Sequence, residues 1–277
     1  MTPKTKTFLP VPVIILLISA LLLAGFVDGD FKKSGQVSVD GAMLACDPLG
    51  NVYVTDEYEL KKLDPRGKEL FTYSNFIAGN ITHVDPSDPF KVLVYFKEFG
   101  QVDVLDNTLS PATDPLLLQS YGHELATLVC RSYNNGMWIY DPLNFELLRF
   151  NQSMQISDRS GNINQLTGME IDPNYLLESD NNLYLSDPSA GLLVFDRYGT
   201  YYKTYPFKNI KSFQVQNEKI IYFTGEKLVI HDTRKLVSSE VKTGISGVVD
   251  AKVSLDLDPQ QVYLLDGTKL HILQKQN

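Results

Sequence analysis

The chain has 277 residues, of which 43% are hydrophobic and 21% are charged, and its formal net charge is −8 at neutral pH. This length and composition fit a globular protein with one large domain. Nucleic-acid binding requires clustered cations that neutralise phosphates. The chain is acidic and has no block of Lys or Arg, so we predict that it binds no nucleic acid.

The N-terminal region contains an uncharged apolar stretch at residues 8–27 (FLPVPVIILLISALLLAGFV), which follows Lys4 and Lys6 and precedes Asp28. It is long enough for a membrane-spanning helix, and its basic flank also fits a secretory signal peptide. Both alternatives place the rest of the chain outside the cytoplasm. We therefore expect residues 1–27 to be a signal peptide or a membrane anchor helix, and the protein to be exported to the periplasm or the cell surface. If the segment is not cleaved, residues 8–27 hold the protein in the membrane.

The rest of the chain repeats with a period of about forty residues. Each unit consists of an apolar and aromatic strand, a short polar turn and a second strand that ends on a polar residue. The units occupy residues 51–64, 91–106, 136–151, 182–196, 219–232 and 261–274. Their last residues, which are 42, 45, 45, 36 and 42 positions apart, are Asp64, Asp106, Asn151, Asp196, Asp232 and Gln274. Hairpins at this period are typical of a β-propeller with one blade per unit. We predict an all-β, monomeric six-bladed β-propeller of four-stranded antiparallel blades over residues 31–277, preceded by the N-terminal hydrophobic helix.

The repeated hairpin supplies strands B and C of each blade, with strand A nearest the axis and strand D outermost. Asp-Pro pairs favour turns, and we assign those at 47–48, 85–86, 172–173 and 258–259 to the ends of four A strands. The predicted D strands are residues 69–73, 115–121, 153–156, 201–205 and 238–242.

The sixth blade lacks a D strand of its own, because its C strand ends almost at the C-terminus. Residues 36–39 (QVSV) precede the first blade and have a strand pattern. We predict that residues 31–40 form the missing outer strand, since this closes the ring and covers an open sheet edge.

Two of the units match a known type of repeat. Residues 45–70 (ACDPLGNVYVTDEYELKKLDPRGKEL) and 168–205 (GMEIDPNYLLESDNNLYLSDPSAGLLVFDRYGTYYKTY) resemble NHL-type propeller repeats, while the other four units keep only the hydrophobic skeleton. The resemblance implies the propeller fold. That family includes binding scaffolds as well as lactonases and lyases, so the function has to be derived from the loops and the channel.

The residues that precede each predicted A strand should lie around the axis on one face. Those with hard oxygen ligands, which suit Ca²⁺ or Mg²⁺, are Asp40, Asn80, Glu124, Asn164 (beside Gln165) and Asp250. Six-bladed enzymes of the gluconolactonase and paraoxonase types hold a divalent metal at this place. The chain departs from the gluconolactonase motif Pro-Asp-Gly-Met, because Thr167 stands at the position of the Asp. The alternative is that these are ordinary junction residues around a channel without a cofactor.

The turns between strands B and C add acidic residues to the same face, which would attract a cationic partner. These candidate partner-binding residues are Asp56, Glu57, Asp141, Asp187 and Asp266. The alternative is that they only form their turns.

Catalytic candidates are few. His123 and Glu124 are the one pair that we consider as a base at the channel mouth, and His231 and His271 occupy equivalent C strands as packing residues. The sequence has no Gly-x-Ser-x-Gly, phosphate loop or zinc-type cysteine cluster. Cys46 and Cys130 fall on A strands of non-neighbouring blades, so we expect two buried free thiols.

The sequence therefore favours an exported or membrane-anchored propeller that binds a protein or peptide partner. The alternative is a divalent-metal-dependent enzyme of the lactonase or lyase type, with Ca²⁺ or Mg²⁺ at the mouth of the central channel.

Overall fold

The computed structural model describes residues 31–276, which form six four-stranded antiparallel sheets. The predicted N-terminal helix at residues 1–27 lies outside the described residues. Within the described range, no helix has the length and apolarity needed to cross a membrane.

The sheets are the six blades, and the strands of each blade follow one another from A at the axis to D at the rim. In blades 1 to 3 the strands are β2 (Met43–Cys46), β3 (Val52–Asp56), β4 (Glu59–Leu63), β5 (Glu69–Ser74); β6 (His83–Asp85), β7 (Val92–Phe96), β8 (Gln101–Leu105), β9 (Leu116–Leu117); and β10 (Leu128–Ser132), β11 (Gly136–Asp141), β12 (Glu146–Phe150), β13 (Ile156–Arg159). In blades 4 to 6 they are β14 (Tyr175–Ser179), β15 (Asn182–Asp187), β16 (Gly191–Asp196), β17 (Tyr201–Tyr205); β18 (Ser212–Gln216), β19 (Lys219–Phe223), β20 (Leu228–Asp232), β21 (Val237–Val241); and β22 (Asp250–Ser254), β23 (Gln261–Leu265), β24 (Lys269–Lys275), β1 (Phe31–Ser38).

The B strands are apolar on both faces because each blade is covered by a neighbour on either side. All five residues of β7 and all six of β11 are buried. Large rings such as Trp138 and Tyr95 fill the space between blades and are fully buried. Burying such a side chain contributes about 1.5–3 kcal/mol, so packing between blades stabilises the ring.

The ring is closed as the sequence predicts. Strand β1 pairs antiparallel with β24, from Phe31 opposite Lys275 to Ser38 opposite Lys269. The N-terminal strand therefore completes blade 6, and the first described strand is held by the last.

The polar residue that ends each of the first five repeat units caps the turn between strands C and D; the sixth, Gln274, lies within β24 and has no such turn after it. The Oδ1 atom of Asp64 accepts hydrogen bonds from the backbone N–H groups of Arg66 and Lys68, and Asp196 accepts from Tyr198 and Thr200. Asp106, Asn151 and Asp232 bind their turns in the same way. The period visible in the sequence is therefore a repeated turn-capping residue.

Two predicted D strands are wrong in extent. In blade 3 the strand lies at Ile156–Arg159 and not at 153–156, because the turn capped by Asn151 runs through Met154, whose φ is +57°. In blade 2 the D strand comprises only Leu116–Leu117, and a 3-10 helix over Leu118–Tyr121 replaces the rest of the predicted segment.

The start of blade 4 also differs from the prediction. Asp172-Pro173 precedes strand A, and the turn that follows strand A is made by Asp180 and Asn181, which both have positive φ. The displacement arises because the connection from blade 3 is long and includes a short helix, α1 (Ile163–Thr167), which is absent from the prediction.

Candidate functional site

The propeller has two faces and a central channel. We call the face formed by the B-to-C turns and the connections between blades the upper face, and the opposite one the lower face. The A strands surround the axis, where an upper cavity of about 490 Å³ and a lower cavity of about 280 Å³ share His83, Val84 and Tyr175 among their walls. Ligands could therefore reach the axis from either face.

Of the five predicted metal ligands, only Asp250 lines the upper cavity. Its carboxylate already accepts hydrogen bonds from the backbone N–H of Leu44, the Ser212 hydroxyl and its neighbour Ala251. Asn164 lies on α1, away from the start of strand A, and its Oδ1 accepts from the N–H of Ile171.

Asp40, Asn80 and Glu124 are exposed on the connections between blades. Among the residues that the structure describes, no group of three or more His, Cys, Asp or Glu side chains is placed to hold a metal ion. A divalent cation at these five positions stays a prediction that needs a metal titration.

Three of the acidic turn residues serve their own turns. The Oδ1 atom of Asp187 accepts from the N–H groups of Ser189 and Ala190, and its Oδ2 from Asp172. Burial raises the pKa of Asp187, but these hydrogen bonds outweigh it and hold the pKa below its ordinary value. Asp141 accepts from Leu143 and Asn144 in the equivalent turn.

Asp266 caps the turn of blade 6 and also contacts a histidine. It accepts hydrogen bonds from the N–H groups of Thr268 and Lys269, and its Oδ2 lies 2.7 Å from Nε2 of His271. The bond to His271 is the first cause of a lowered pKa at Asp266. Asp56 and Glu57 are exposed and remain available on the upper face.

The proposed base pair is not among the residues that line the upper cavity. Nδ1 of His123 is 3.9 Å from Oδ2 of Asp141, and the His123 ring contacts Phe150 edge-on. Glu124 is exposed beside it. His231 and His271 lie in β20 and β24, the equivalent C strands, as predicted.

Both cysteines are free and lie on A strands, as predicted. Cys130 is buried, and burial raises the pKa of its thiol. Cys46 is only half-buried and lines the lower cavity, which differs from the expectation that both thiols are buried.

The upper face carries an apolar surface that the sequence analysis did not identify. Large exposed hydrophobic side chains occupy the B-to-C turns of blades 2 and 3 and the three connections that join blades 1 to 4, and Ile77 is 90% exposed. We call this set the apolar arc; it comprises Phe76, Ile77, Phe99, Tyr121, Leu125, Leu143, Phe145 and Leu166. The signal was present in the sequence, because these apolar residues lie in segments between strands where turns are normally polar.

Contacts join several of the loops that carry the apolar arc. The Tyr58 ring of the first turn contacts the Phe76 ring in a tilted arrangement, with centroids 4.1 Å apart and planes at 41°. A Cβ atom added at Gly79 would lie 2.7 Å from the Glu98 carboxylate, so the first connection abuts the turn of blade 2. Further round, the N–H of Ile163 donates to the carbonyl of Phe145, which joins α1 to the turn of blade 3.

Charges on this part of the upper face are mostly negative. The exposed carboxylates beside the apolar arc include those of Asp56, Glu98 and Glu124. Lys97 is a basic residue in the same region. An acidic field next to apolar side chains favours partners that combine basic and apolar residues.

The fold defines the chain as a six-bladed β-propeller, and solved structures share it. The chain is similar to virginiamycin B lyase from Staphylococcus aureus, with a TM-score of 0.62, 12% identity and coverage of 88% of this chain and 99% of that one. It is also similar to the WD40 domain of Neurospora crassa Pan2, with a TM-score of 0.58, 10% identity and coverage of 91% and 98%. For BBS1N, solved in complex with ARL6DN, the TM-score is 0.53, the identity 10% and the coverage 86% and 78%.

At these identities the likeness shows the fold alone. No protein-family model and no curated protein sequence matches the chain. The resemblance to NHL-type repeats therefore stays a prediction.

Proposed function

We propose that the protein is an exported or membrane-anchored β-propeller that binds a protein or peptide partner through the apolar arc. The observation that carries this proposal is the concentration of exposed apolar side chains on one face, in the turns of blades 2 and 3 and in the three connections that join blades 1 to 4. Contiguous exposed apolar surface is costly in water and marks interaction sites when it occurs in a folded protein. The blades beneath it are rigid sheets, so the loops are held in place for binding.

The surroundings of the apolar arc define the partner's chemistry. Apolar side chains such as Ile77 and Leu143 would fill the centre of the interface, and carboxylates such as Asp56, Glu98 and Glu124 would surround it. The matching partner segment has apolar anchors flanked by Lys or Arg. Its association should weaken with salt, because the exposed charges are screened.

The structural comparisons support a binding role. BBS1N shares the fold and was solved in complex with ARL6DN, so a propeller of similar shape forms a complex with another protein. The WD40 domain of Pan2 is a further propeller of this shape.

The test compares a variant of the apolar arc with a matched variant of the lower face. Ile77→Asp with Leu143→Asp places charge in the arc, whereas Leu49→Asp with Leu236→Asp changes two similarly exposed leucines in turns of the lower face. We expect tagged wild type and the lower-face variant to retain one stoichiometric partner from solubilised envelope, and the arc variant to lose it. Equal retention by all three proteins, or no stoichiometric partner at any salt concentration, would contradict the proposal.

The proposed location has a separate test. Protease added to intact cells should digest the propeller if it is exposed at the cell surface, and should do so only after outer-layer permeabilisation if it is periplasmic. Protection until the cells are lysed would refute export.

A second candidate function is a divalent-metal-dependent lactonase-like or lyase-like activity at the channel mouth. The similarity to virginiamycin B lyase and the position of His123 beside Asp141 favour it. The experiment is thermal melting with Ca²⁺, with Mg²⁺ and with EDTA, on wild type and on Glu124→Gln with Asp250→Asn. This candidate requires metal to raise the melting temperature of wild type and not of the variant; unchanged melting of wild type in all conditions would exclude a metal site at these residues.

A further inference from the structure

The lower cavity of the channel is distinct from the apolar arc, because it opens on the opposite face. Its walls come from the A strands and include aromatic and aliphatic side chains, among them Tyr175, Leu177, Phe213 and Val215. Tyr175 contacts the rings of both His83 and Phe213 edge-on, each at 5.0 Å between centroids. The inner end of the cavity is therefore a fixed aromatic wall.

Two buried nitrogen atoms at this wall lack a hydrogen-bond partner. Lys252 is 2% exposed and His83 is 8% exposed, and both line the lower cavity. Neither Nζ of Lys252 nor Nε2 of His83 has a hydrogen-bonding partner within the described structure. Nζ lies 5.7 Å from the centroid of the Tyr175 ring, on the same wall as the histidine. Leaving a buried polar group unpaired is costly, so such atoms in a cavity point to a ligand.

Four carboxylates line the lower cavity, those of Asp85, Glu178, Asp180 and Asp256, and none of them forms a hydrogen bond with these two nitrogen atoms. Asp250 lies 3.6 Å from Nζ of Lys252, but it lines the upper cavity and is engaged by its three donors there. Asp85 accepts from the N–H groups of Ser87 and Arg131. The charge of Lys252 is thus partly balanced, while its N–H groups remain available towards the lower cavity.

A third donor group lies on the same wall. The side-chain carbonyl of Gln214 accepts from the N–H of Val253 in the next blade, which leaves the amide nitrogen as the group that Gln214 can offer to a ligand. Burial is the main reason that the pKa of His83 is lowered, so its ring is neutral near pH 7, and the tautomer with a proton on Nε2 donates.

We propose that the lower cavity binds the carboxylate of a small organic acid or of a peptide C-terminus, with Lys252 and His83 as donors. The carboxylate oxygens accept from Nζ of Lys252 and Nε2 of His83, and the apolar part of the ligand packs against Tyr175 and Phe213. A cavity of about 280 Å³ admits a compact molecule or one chain end. A small organic acid and a peptide C-terminus present the same carboxylate to these donors. They differ because a peptide chain would continue out of the lower cavity through its opening.

The first experiment uses the full-length wild-type protein and two pairs of probes in isothermal titration calorimetry. Benzoate is compared with benzamide, and the peptide Gly-Gly-Phe with its C-terminal amide. We expect saturable binding of a carboxylate to one site per chain, at least about 10-fold tighter than its amide, because a hydrogen bond to a charged group is stronger than one to a neutral group. Binding of benzoate alone assigns the site to free acids, and binding of Gly-Gly-Phe assigns it to a chain end.

The second experiment identifies the donor. Lys252→Met keeps the length of the side chain and removes its charge, and Lys68→Met makes the same change at an exposed position. We expect carboxylate affinity to fall about 10- to 100-fold in Lys252→Met and to stay at the wild-type value in Lys68→Met. If Lys252→Met does not fold, the comparison of each acid with its amide on the wild-type protein still decides whether the lower cavity selects a carboxylate. The proposal is overturned if neither carboxylate binds, if acid and amide bind equally, or if a folded Lys252→Met binds as wild type does.

Discussion

The contact between blades 3 and 4 combines an apolar cluster with a polar network, and the network centres on the carboxylate of Glu178 in β14. Its Oε2 accepts from Nε1 of Trp138 at 2.8 Å and from the Ser132 hydroxyl, and its Oε1 accepts from the N–H of Tyr133 at 3.2 Å. Ser132 in turn accepts from Nε of Arg149. The three partners of Glu178, and Arg149 behind them, belong to blade 3, so Glu178→Ala tests how much this polar network contributes to the contact between the two blades.

The expected loss follows from these contacts. A hydrogen bond to a charged group contributes about 1.5–3 kcal/mol, and an unpaired buried donor costs about 1–3 kcal/mol. Trp138 is fully buried and cannot turn its indole N–H towards solvent, whereas the Ser132 hydroxyl can rotate. Because Glu178 lines the lower cavity, water can replace part of the lost interaction. We therefore expect a loss of about 3 kcal/mol in the free energy of unfolding.

The assay is urea unfolding followed by Trp138 fluorescence, with thermal melting as a second measurement. For a domain of this size, a loss of about 3 kcal/mol lowers the melting temperature by about 6–12 °C. Glu178→Gln keeps one carbonyl acceptor but places an amide donor against the donors of blade 3. Its free energy of unfolding should therefore fall by about half as much as that of Glu178→Ala. Glu124→Ala, at an exposed position, is the control and should match wild type within about 0.5 kcal/mol. Unfolding of Glu178→Ala within about 1 kcal/mol of wild type would refute this account of the interface.

Three other predictions concern closure, pH and backbone conformation. Deleting residues 1–38 removes the strand that pairs with β24. The melting temperature should then be much lower than after a deletion of residues 1–30, which leaves β1 in place. Equal melting temperatures of the two deletions would mean that β1 does not close the ring. Because the folded-state pKa of Asp187 is held below its ordinary value of about 3.9, its contribution to stability is complete above pH 4 and is lost as the pH falls through the folded-state pKa. Asp187→Asn should therefore flatten the decline of the urea midpoint below about pH 4, and an unchanged slope would count against the turn-capping role. Gly191→Ala should lower the melting temperature by more than Gly161→Ala. Both glycines have positive φ, but only a Cβ atom at position 191 would meet a backbone oxygen, that of Tyr205, at 2.4 Å. Similar melting temperatures of the two variants would contradict the steric argument.

The sequence predicted the architecture because each blade repeats the same local chemistry. The C strands end on a residue such as Asp64 or Asp196 that caps the following turn, so the period is visible without any knowledge of contacts. Closure by β1 followed from counting strands, since the last blade had no outer strand of its own. These features depend on neighbours in the sequence or on a simple count.

The prediction failed where the connections depart from the repeat. In blade 4 the insertion of α1 moved strand A to Tyr175–Ser179, and the candidate Asn164 moved with the helix away from the axis. In blade 2 a 3-10 helix replaced most of the outer strand. Loop length alone does not determine such paths, because they depend on what the loop packs against.

The amino-acid sequence by itself determined the number of blades and the residues that cap the C-to-D turns, since hydrophobic period and Asp-capped turns are local properties, and it determined the closure of the ring through a count of strands. Only the tertiary structure decided which polar groups are satisfied and which surfaces remain open. Asp187 and Asp250 are bound by nearby donors, while Lys252 and His83 face a cavity without a hydrogen-bond partner among the described residues. The apolar arc likewise exists only because folding brings two turns and three connections between blades to one face, so that residues far apart in the chain lie on the same side of the molecule.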